Sequence, residues 1–347
     1  MESEYQSLLS NGTWTLCDLP PHKKAIKCKW VYKTKRDVLG HIERHKARLV
    51  IKGYSQRKGE DYDETYAPVV RHSSLRYLFA LSVKLGLKIE QMDVVTAFLH
   101  DDLNDEIYME QPLMFISDSS KVCRLNKALY GLKQASRIWN IELDEALKSF
   151  GCQQSPYDNW VYFKIIEGKI IIVVAYVDDL IILYNDVIWL QNFKKYLHGK
   201  FQMKDLGPAN QCLGIRIEQT DDCITLDQET YIVSLLEKFN MHNCKPVSTP
   251  MSMDKLSTED CPKTQKDMDE MKDVLYQEAI GCLIYLSQST RPDICFAVNK
   301  LSCFNSNPGK RHWSGVKHLF RYLRGTSSYR LKYRKYDSDI MGCSDAD

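Results

Sequence analysis

No two of the twelve cysteines stand in a CxxC pair, and they are scattered from Cys17 to Cys343. That spacing excludes a zinc ribbon and offers no disulfide framework. Reduced thiols in an intracellular protein are the plain reading. The opening residues, MESEYQSLLSNGTW, have neither a basic n-region nor an apolar h-region, so no secretory signal is expected. Long hydrophobic runs are missing too. The most apolar stretch, IIVVAYVDDLIILY (Ile171 to Tyr184), is too short to span a bilayer and carries two Asp. Excess charge of one sign is also missing: the net charge is +2, which names no partner, although an average hides patches. There is no repeat at a solenoid period. What remains is an ordinary globular composition, 44% hydrophobic and 27% charged over 347 residues, long enough for two or more packed units.

Local pattern gives the elements. KCKWVYK and HKARLVIKG alternate around a DVLG turn and predict a basic hairpin within residues 26–59. Ser73 to Gly86 predicts a helix with Leu75, Leu78, Phe79, Ser82 and Leu85 on one side, a Ser cap in front and a Gly behind. LKIEQMDV predicts a short strand ending at Asp93, and the stretch from Lys127 a turn and a long helix stopped by Gly151. VYFKIIEGKIIIVVAYVDDLIILY predicts a three-stranded antiparallel meander with two-residue turns at Glu167-Gly168 and Asp178-Asp179. A helix at WLQNFKKYLHGKF, a hairpin at NQCLGIRIEQTDDCITLDQ and a helix at YIVSLLEKFNM follow. Cys244 to Lys272 reads as a polar linker, and two helical patterns lie around 275–287 and 312–324.

The carboxylate pair in the apolar meander calls for a reason. Two adjacent ionised carboxylates repel by several kcal/mol at an effective dielectric of about 20, and left alone one of them takes a proton. A divalent cation makes the pair favourable. Phosphoryl-transfer enzymes hold two such ions on carboxylates, one at the attacking hydroxyl and one at the leaving pyrophosphate. On the dipeptide alone, an ordinary surface turn is the commoner arrangement. Asp93, at the end of an apolar strand, is a candidate third carboxylate, though an Asp there is more often a helix cap. Phe98, five positions on, would lie beside a substrate at Asp93 or simply in the core.

Nine stretches then fall in order: KARLVIKGYSQ, YAPVVR, QMDVVTAFL, IYMEQP, KALYGLKQASRIW, YVDD, KDLG with CLGI, CKPVSTPM and TRPDICFAV. Together they resemble the reverse transcriptase of copia-type LTR retrotransposons over nearly the whole chain. The resemblance implies an α+β right-hand polymerase. Fingers would take residues 1–88 and 113–140, palm 89–112 and 141–220, thumb 221–260 and a connection-like region 270–340. Residues 341–347 would begin a ribonuclease H domain. It implies that Asp93, Asp178 and Asp179 form the palm triad holding two Mg²⁺, with Mn²⁺ as the alternative ion. Lys46 and Arg48, on one face of a fingers strand by the period of two, would meet the dNTP triphosphate, with Lys52 a weaker third. Phe98 would stack under the sugar and exclude a 2′-hydroxyl, and Gln134 would lie beside the incoming nucleotide. Tyr176 and Val177 would meet the primer terminus, and Leu213 and Gly214 its grip.

Two departures flank the site: Val95 where the family has Lys, and Asp101 where it has a Gly that can adopt positive φ. GCSDAD (342–347) is where the first ribonuclease H carboxylate, Asp345 or Asp347, would fall, so no ribonuclease H activity is expected. From Gly309 to Tyr336 there is no Asp or Glu. Lys310, Arg311, Lys317, Arg321 and Arg324 there, with Trp313, Tyr322, Tyr329 and Tyr333 between basic residues, predict a nucleic-acid surface without acidic partners of its own. The expected partners are RNA template, DNA primer, RNA–DNA hybrid and dNTPs, with no membrane. A second copy or other polyprotein products are further candidates. The expected location is the cytoplasm, in a virus-like particle, or the nucleus. Three rivals stay open: a relic that binds duplex without catalysis, another palm enzyme such as a nucleotidyl cyclase, and an interaction fragment with no site.

Overall fold

The segment that carries the two adjacent aspartates folds as a meander because its residues are β-branched and its two turns are short. In the computed structural model, which describes residues 1–36, 42–100, 102–252 and 255–335, the first half of the chain forms α1 (Glu2–Ser10), β1 (Trp14–Cys17), β2 (Cys28–Arg36), β3 (Ile42–Ile51), α2 (His72–Leu85), β4 (Lys88–Val94), β5 (Tyr108–Met109), β6 (Val122–Leu125) and α3 (Ala135–Ser149). Then come β7 (Gln153–Gln154), β8 (Val161–Ile166), β9 (Lys169–Tyr176), β10 (Asp179–Tyr184), α4 (Val187–Lys200), β11 (Met203–Pro208), β12 (Gln211–Cys212), β13 (Ile215–Thr220), β14 (Cys223–Asp227), α5 (Glu229–Lys238), α6 (Gln265–Met271), α7 (Tyr276–Ser289), α8 (Cys295–Ser302), α9 (Lys310–Gly325) and β15 (Leu331–Arg334).

The chain divides into two compact units, residues 1–70 with 90–207, and residues 71–89 with 208–347. The first holds a six-stranded sheet in the order β11-β4-β10-β9-β8-β7, a three-stranded sheet β1-β6-β5 and the β2-β3 hairpin. Ile171, Val173, Leu180, Ile182 and Leu183 are fully buried at the centre of the large sheet, and Trp139 of α3 is buried in the same unit. The second unit holds the sheet β12-β13-β14-β15. Helix α2 packs on β14 and β15, and a helical core gathers Leu235 and Leu236 of α5 with Ile280, Leu283, Val298, Val316 and Phe320. Among the described residues no helix is long and apolar enough to cross a membrane.

Several expectations shift. The second turn of the meander is Val177-Asp178, because Tyr176 pairs with Asp179, which already belongs to β10. The first turn is Glu167-Gly168 as expected, with both residues at positive φ. Strand β4 runs one residue past Asp93. Helix α2 begins at His72, with Arg71 as N-cap and no side-chain cap, and buries Val83 where Leu85 was expected; Gly86 ends it at φ 65°. The stretch around residues 211–227 is a meander of three strands with an extra turn at Leu213-Gly214. The polar linker contains a 3-10 turn, Thr258–Asp260, and α6, each opened by a reciprocal cap, Ser257 with Asp260 and Thr264 with Asp267. The DVLG turn, Asp101 and residues 336–347 lie outside the described residues.

Candidate active site

Strands β4 and β10 are neighbours in the sheet, and this brings the separated aspartates together. The Val94 N–H donates to the Asp178 carbonyl at 2.8 Å. Trp139, almost fully buried, donates its indole N–H to the Val177 carbonyl at 2.6 Å. The turn is therefore held from β4 and from α3. Val177 takes φ 56°, a conformation that a β-branched residue adopts only under constraint. Asp179 accepts a hydrogen bond from Gln91 Nε2 at 3.1 Å. Burial raises the Asp179 carboxyl above its ordinary range; the Gln91 bond opposes this, and the neighbouring Asp178 and Asp93 charges add to it. Asp93, Asp178, Asp179, Lys46, Arg48 and Tyr130 line one cavity of about 770 Å³.

Other expected residues lie elsewhere. Phe98 is 8% exposed and packs edge-on against Tyr130, with centroids 4.7 Å apart at 67°, so Tyr130 is the aromatic that lines the cavity. Gln134 is 3% exposed. Its amide donates to the Asp61 carbonyl at 2.9 Å and to Asp105 at 2.7 Å, and its oxygen accepts from Gln56 at 3.0 Å. With those bonds made, it ties loops together and is not among the lining side chains. Lys52 does not line the cavity either. Tyr176 and Val177 are half-buried at the end of the hairpin. Leu213 and Gly214, at φ 50° and 73°, belong to the second unit, where the Tyr285 hydroxyl donates to the Leu213 carbonyl.

Residues 11–253 match the family described as Reverse transcriptase (RNA-dependent DNA polymerase). The chain belongs to the reverse transcriptase family. Over its whole length it is 47% identical to the retrovirus-related Pol polyprotein from transposon TNT 1-94 of Nicotiana tabacum and covers 27% of it. It is 39% identical to the Pol polyprotein from transposon RE1 of Arabidopsis thaliana and covers 24% of that. The resemblance to copia-type Pol polyproteins is thus borne out, and the chain spans about a quarter of the length of these relatives. A foamy viral protease-reverse transcriptase, solved with double-stranded DNA, aligns over 94% of this chain and 48% of its own at TM-score 0.45 and 14% identity. The mixed helices and sheets are those of the α+β polymerase class expected for a reverse transcriptase.

The basic segment is not without acidic partners, contrary to the sequence expectation. Its acidic partners come from elsewhere in the chain: Lys310 pairs with Glu270 at 2.5 Å, Arg311 with Asp260 at 2.8 Å and Arg330 with Glu218 at 2.8 Å. Arg321 donates to the Lys245 carbonyl at 2.7 Å, and Arg324 donates to the Cys244 carbonyl. Those two residues hold the 244–245 segment on α9. Trp313 packs with Phe239 and Tyr276, and Tyr322 is buried with its hydroxyl on Asp293. Lys317 is exposed on α9. Among the described residues, no three His, Cys, Asp or Glu form a ready-made metal cage. Sequence reasoning missed Tyr130, which sits inside the quoted KALYGLKQASRIW stretch and would have needed the fold to stand out.

Proposed function

We propose that this chain is the polymerase part of a transposon Pol polyprotein, extending a DNA primer on an RNA template with dNTPs. The observation that carries the reading is the lining of one cavity by Asp93, Asp178 and Asp179 together with Lys46 and Arg48. Carboxylate oxygens suit a hard cation, and Mg²⁺ commonly uses one or two of them and completes its shell with substrate phosphates and water. The lack of a full protein cage among the described residues is therefore compatible with an ion that arrives with the nucleotide, held by Asp93, Asp178 and Asp179. When bound, such ions would neutralise charge on the phosphates and favour the ionised primer hydroxyl. The protein's own part is to orient and to screen. Lys46 and Arg48 would neutralise the triphosphate. Val177 and Tyr176 would lie against the primer end, and Phe98, behind Tyr130, would stiffen the wall beside the sugar. Residues 1–88 with 113–140 would act as fingers, 89–112 with 141–220 as palm, 221–260 as thumb and 270–340 as a connection-like region, in a cytoplasmic particle.

Val95, where the family has Lys, favours a second reading, a copy that grips RNA–DNA hybrid without polymerising. Primer extension on an RNA template with a DNA primer, dNTPs and Mg²⁺ separates the two, run beside Asp178→Asn. Extension by the wild type that vanishes in the mutant supports the polymerase. Salt-sensitive hybrid binding with no extension would replace it by the grip.

A further inference from the structure

We propose that Tyr130 is a positioning residue: its ring holds the Arg48 guanidinium over the cavity, so that the stacked pair forms the cradle for a triphosphate. This rests on the polymerase reading and deepens it. The Arg48 Cζ lies 3.8 Å from the centroid of the Tyr130 ring, and the Phe98 ring supports Tyr130 edge-on. Both members of the pair line the cavity of the three carboxylates.

The platform is built rather than incidental. The Tyr130 carbonyl accepts the Ile51 N–H at 2.9 Å, and Ile51 ends β3, the strand that carries Arg48. Gly131 stands at φ 100°, and a Cβ there would collide with the Ile51 carbonyl oxygen. Ring and guanidinium are thus fixed to the same strand. A free Arg samples many rotamers. A face-stacked one is preselected, and its planar N–H donors stay directed to the side, where they suit phosphate oxygens. Burial raises the Tyr130 hydroxyl above its ordinary range, with Arg48 opposing and the nearby carboxylates adding. The phenol stays neutral at physiological pH, and the stacking needs only the ring.

The test compares wild type, Tyr130→Phe, Tyr130→Leu, Arg48→Ala and the double variant Arg48→Ala/Tyr130→Leu. Each is measured in primer extension with a dNTP titration, in calorimetric titration with inorganic tripolyphosphate and in thermal melting. Tyr130→Phe, which keeps the ring, should retain most of the dNTP affinity that Tyr130→Leu loses. Tyr130→Leu should raise the KM for dNTP roughly five- to thirtyfold while kcat stays within about twofold. The double variant should be no worse than Arg48→Ala, because both changes act through one guanidinium. If Tyr130→Leu lowers the Tm, Tyr130→Met, which fills similar space without a π face, takes its place. An unchanged KM in the ring-less variant, or a double variant equal to the product of the singles, overturns the assignment. If the wild type does not extend primers, the polymerase reading fails by itself and the tripolyphosphate titration decides. Weaker binding by Tyr130→Leu that adds nothing to the loss in Arg48→Ala upholds the cradle; unchanged binding by Tyr130→Leu, additive losses, or no binding by the wild type overturns it.

Discussion

Asp179 is half-buried beside two other carboxylates, and its ionisation works against the fold. Because its folded pKa lies above the ordinary value, the folded chain holds this proton longer than the unfolded chain does. Stability from this group is therefore full below about pH 4 and falls as pH rises through the raised value. Asp179→Asn removes that cost. It should raise the Tm by about 2 °C at pH 7 and make no difference at pH 3. Melting curves at the two pH values check this; a stabilisation equal at both would mean that charge is not the cause. The three acidic residues were legible in the sequence only in the company of the collinear motifs, since an Asp pair at a turn and an Asp at a strand end are each commonplace alone. The hydrogen bonds of Gln134 were not legible, since its three partners, Gln56, Asp61 and Asp105, are far away in sequence.

At the scale of elements, the approach of the Tyr130 loop to β3 depends on two glycines facing each other. A Cβ on Gly53 would meet the Gly131 carbonyl oxygen, and one on Gly131 the Ile51 carbonyl oxygen. Gly131→Ala should cost at least about 2 kcal/mol in denaturant melts, from the clash and the positive φ together. A neutral result would show that the loop can move away from the strand at no cost. Lys194 of α4 ties two strands: it pairs with Glu90 of β4 and with Asp205 of β11 at 2.8 Å, and is itself 6% exposed. Burial works to lower its pKa, yet the bonds to Asp205 and Glu90 outweigh it and the net shift is upward. Lys194→Met should cost about 3 kcal/mol by leaving Glu90 half-buried without its cation, and Glu90→Gln in addition should recover much of that. A double variant as unstable as the single would rule out the charge explanation. The β-branched runs made the meander and its first turn readable. The second turn moved one residue because contacts with β4 and Trp139, invisible locally, set the register. Helix α8 went unseen, while the S-T-E-D and T-Q-K-D caps of the linker were present in the sequence and unread.

For the whole molecule, composition gave little, and the collinear order of short motifs gave the family. The stretch without acidic residues was a misleading guide, because ion pairs are made in space: Glu270, Asp260 and Glu218 reach it from other elements. Arg324→Ala should therefore lower the Tm, since its guanidinium holds the Cys244 carbonyl, whereas Lys317→Ala should leave the Tm unchanged. If α9 meets a phosphate backbone, Lys317→Ala should also reduce the salt slope of hybrid binding by about 1. Equal Tm losses in the two variants would contradict this division of labour. The account as a whole rests on the three carboxylates forming one working centre. The measurement that tests it most directly is primer extension on an RNA template by the wild type and by Asp178→Asn, with hybrid binding followed in parallel. The account predicts extension by the wild type and its loss in the mutant with binding nearly intact. Equal extension by both proteins would contradict it.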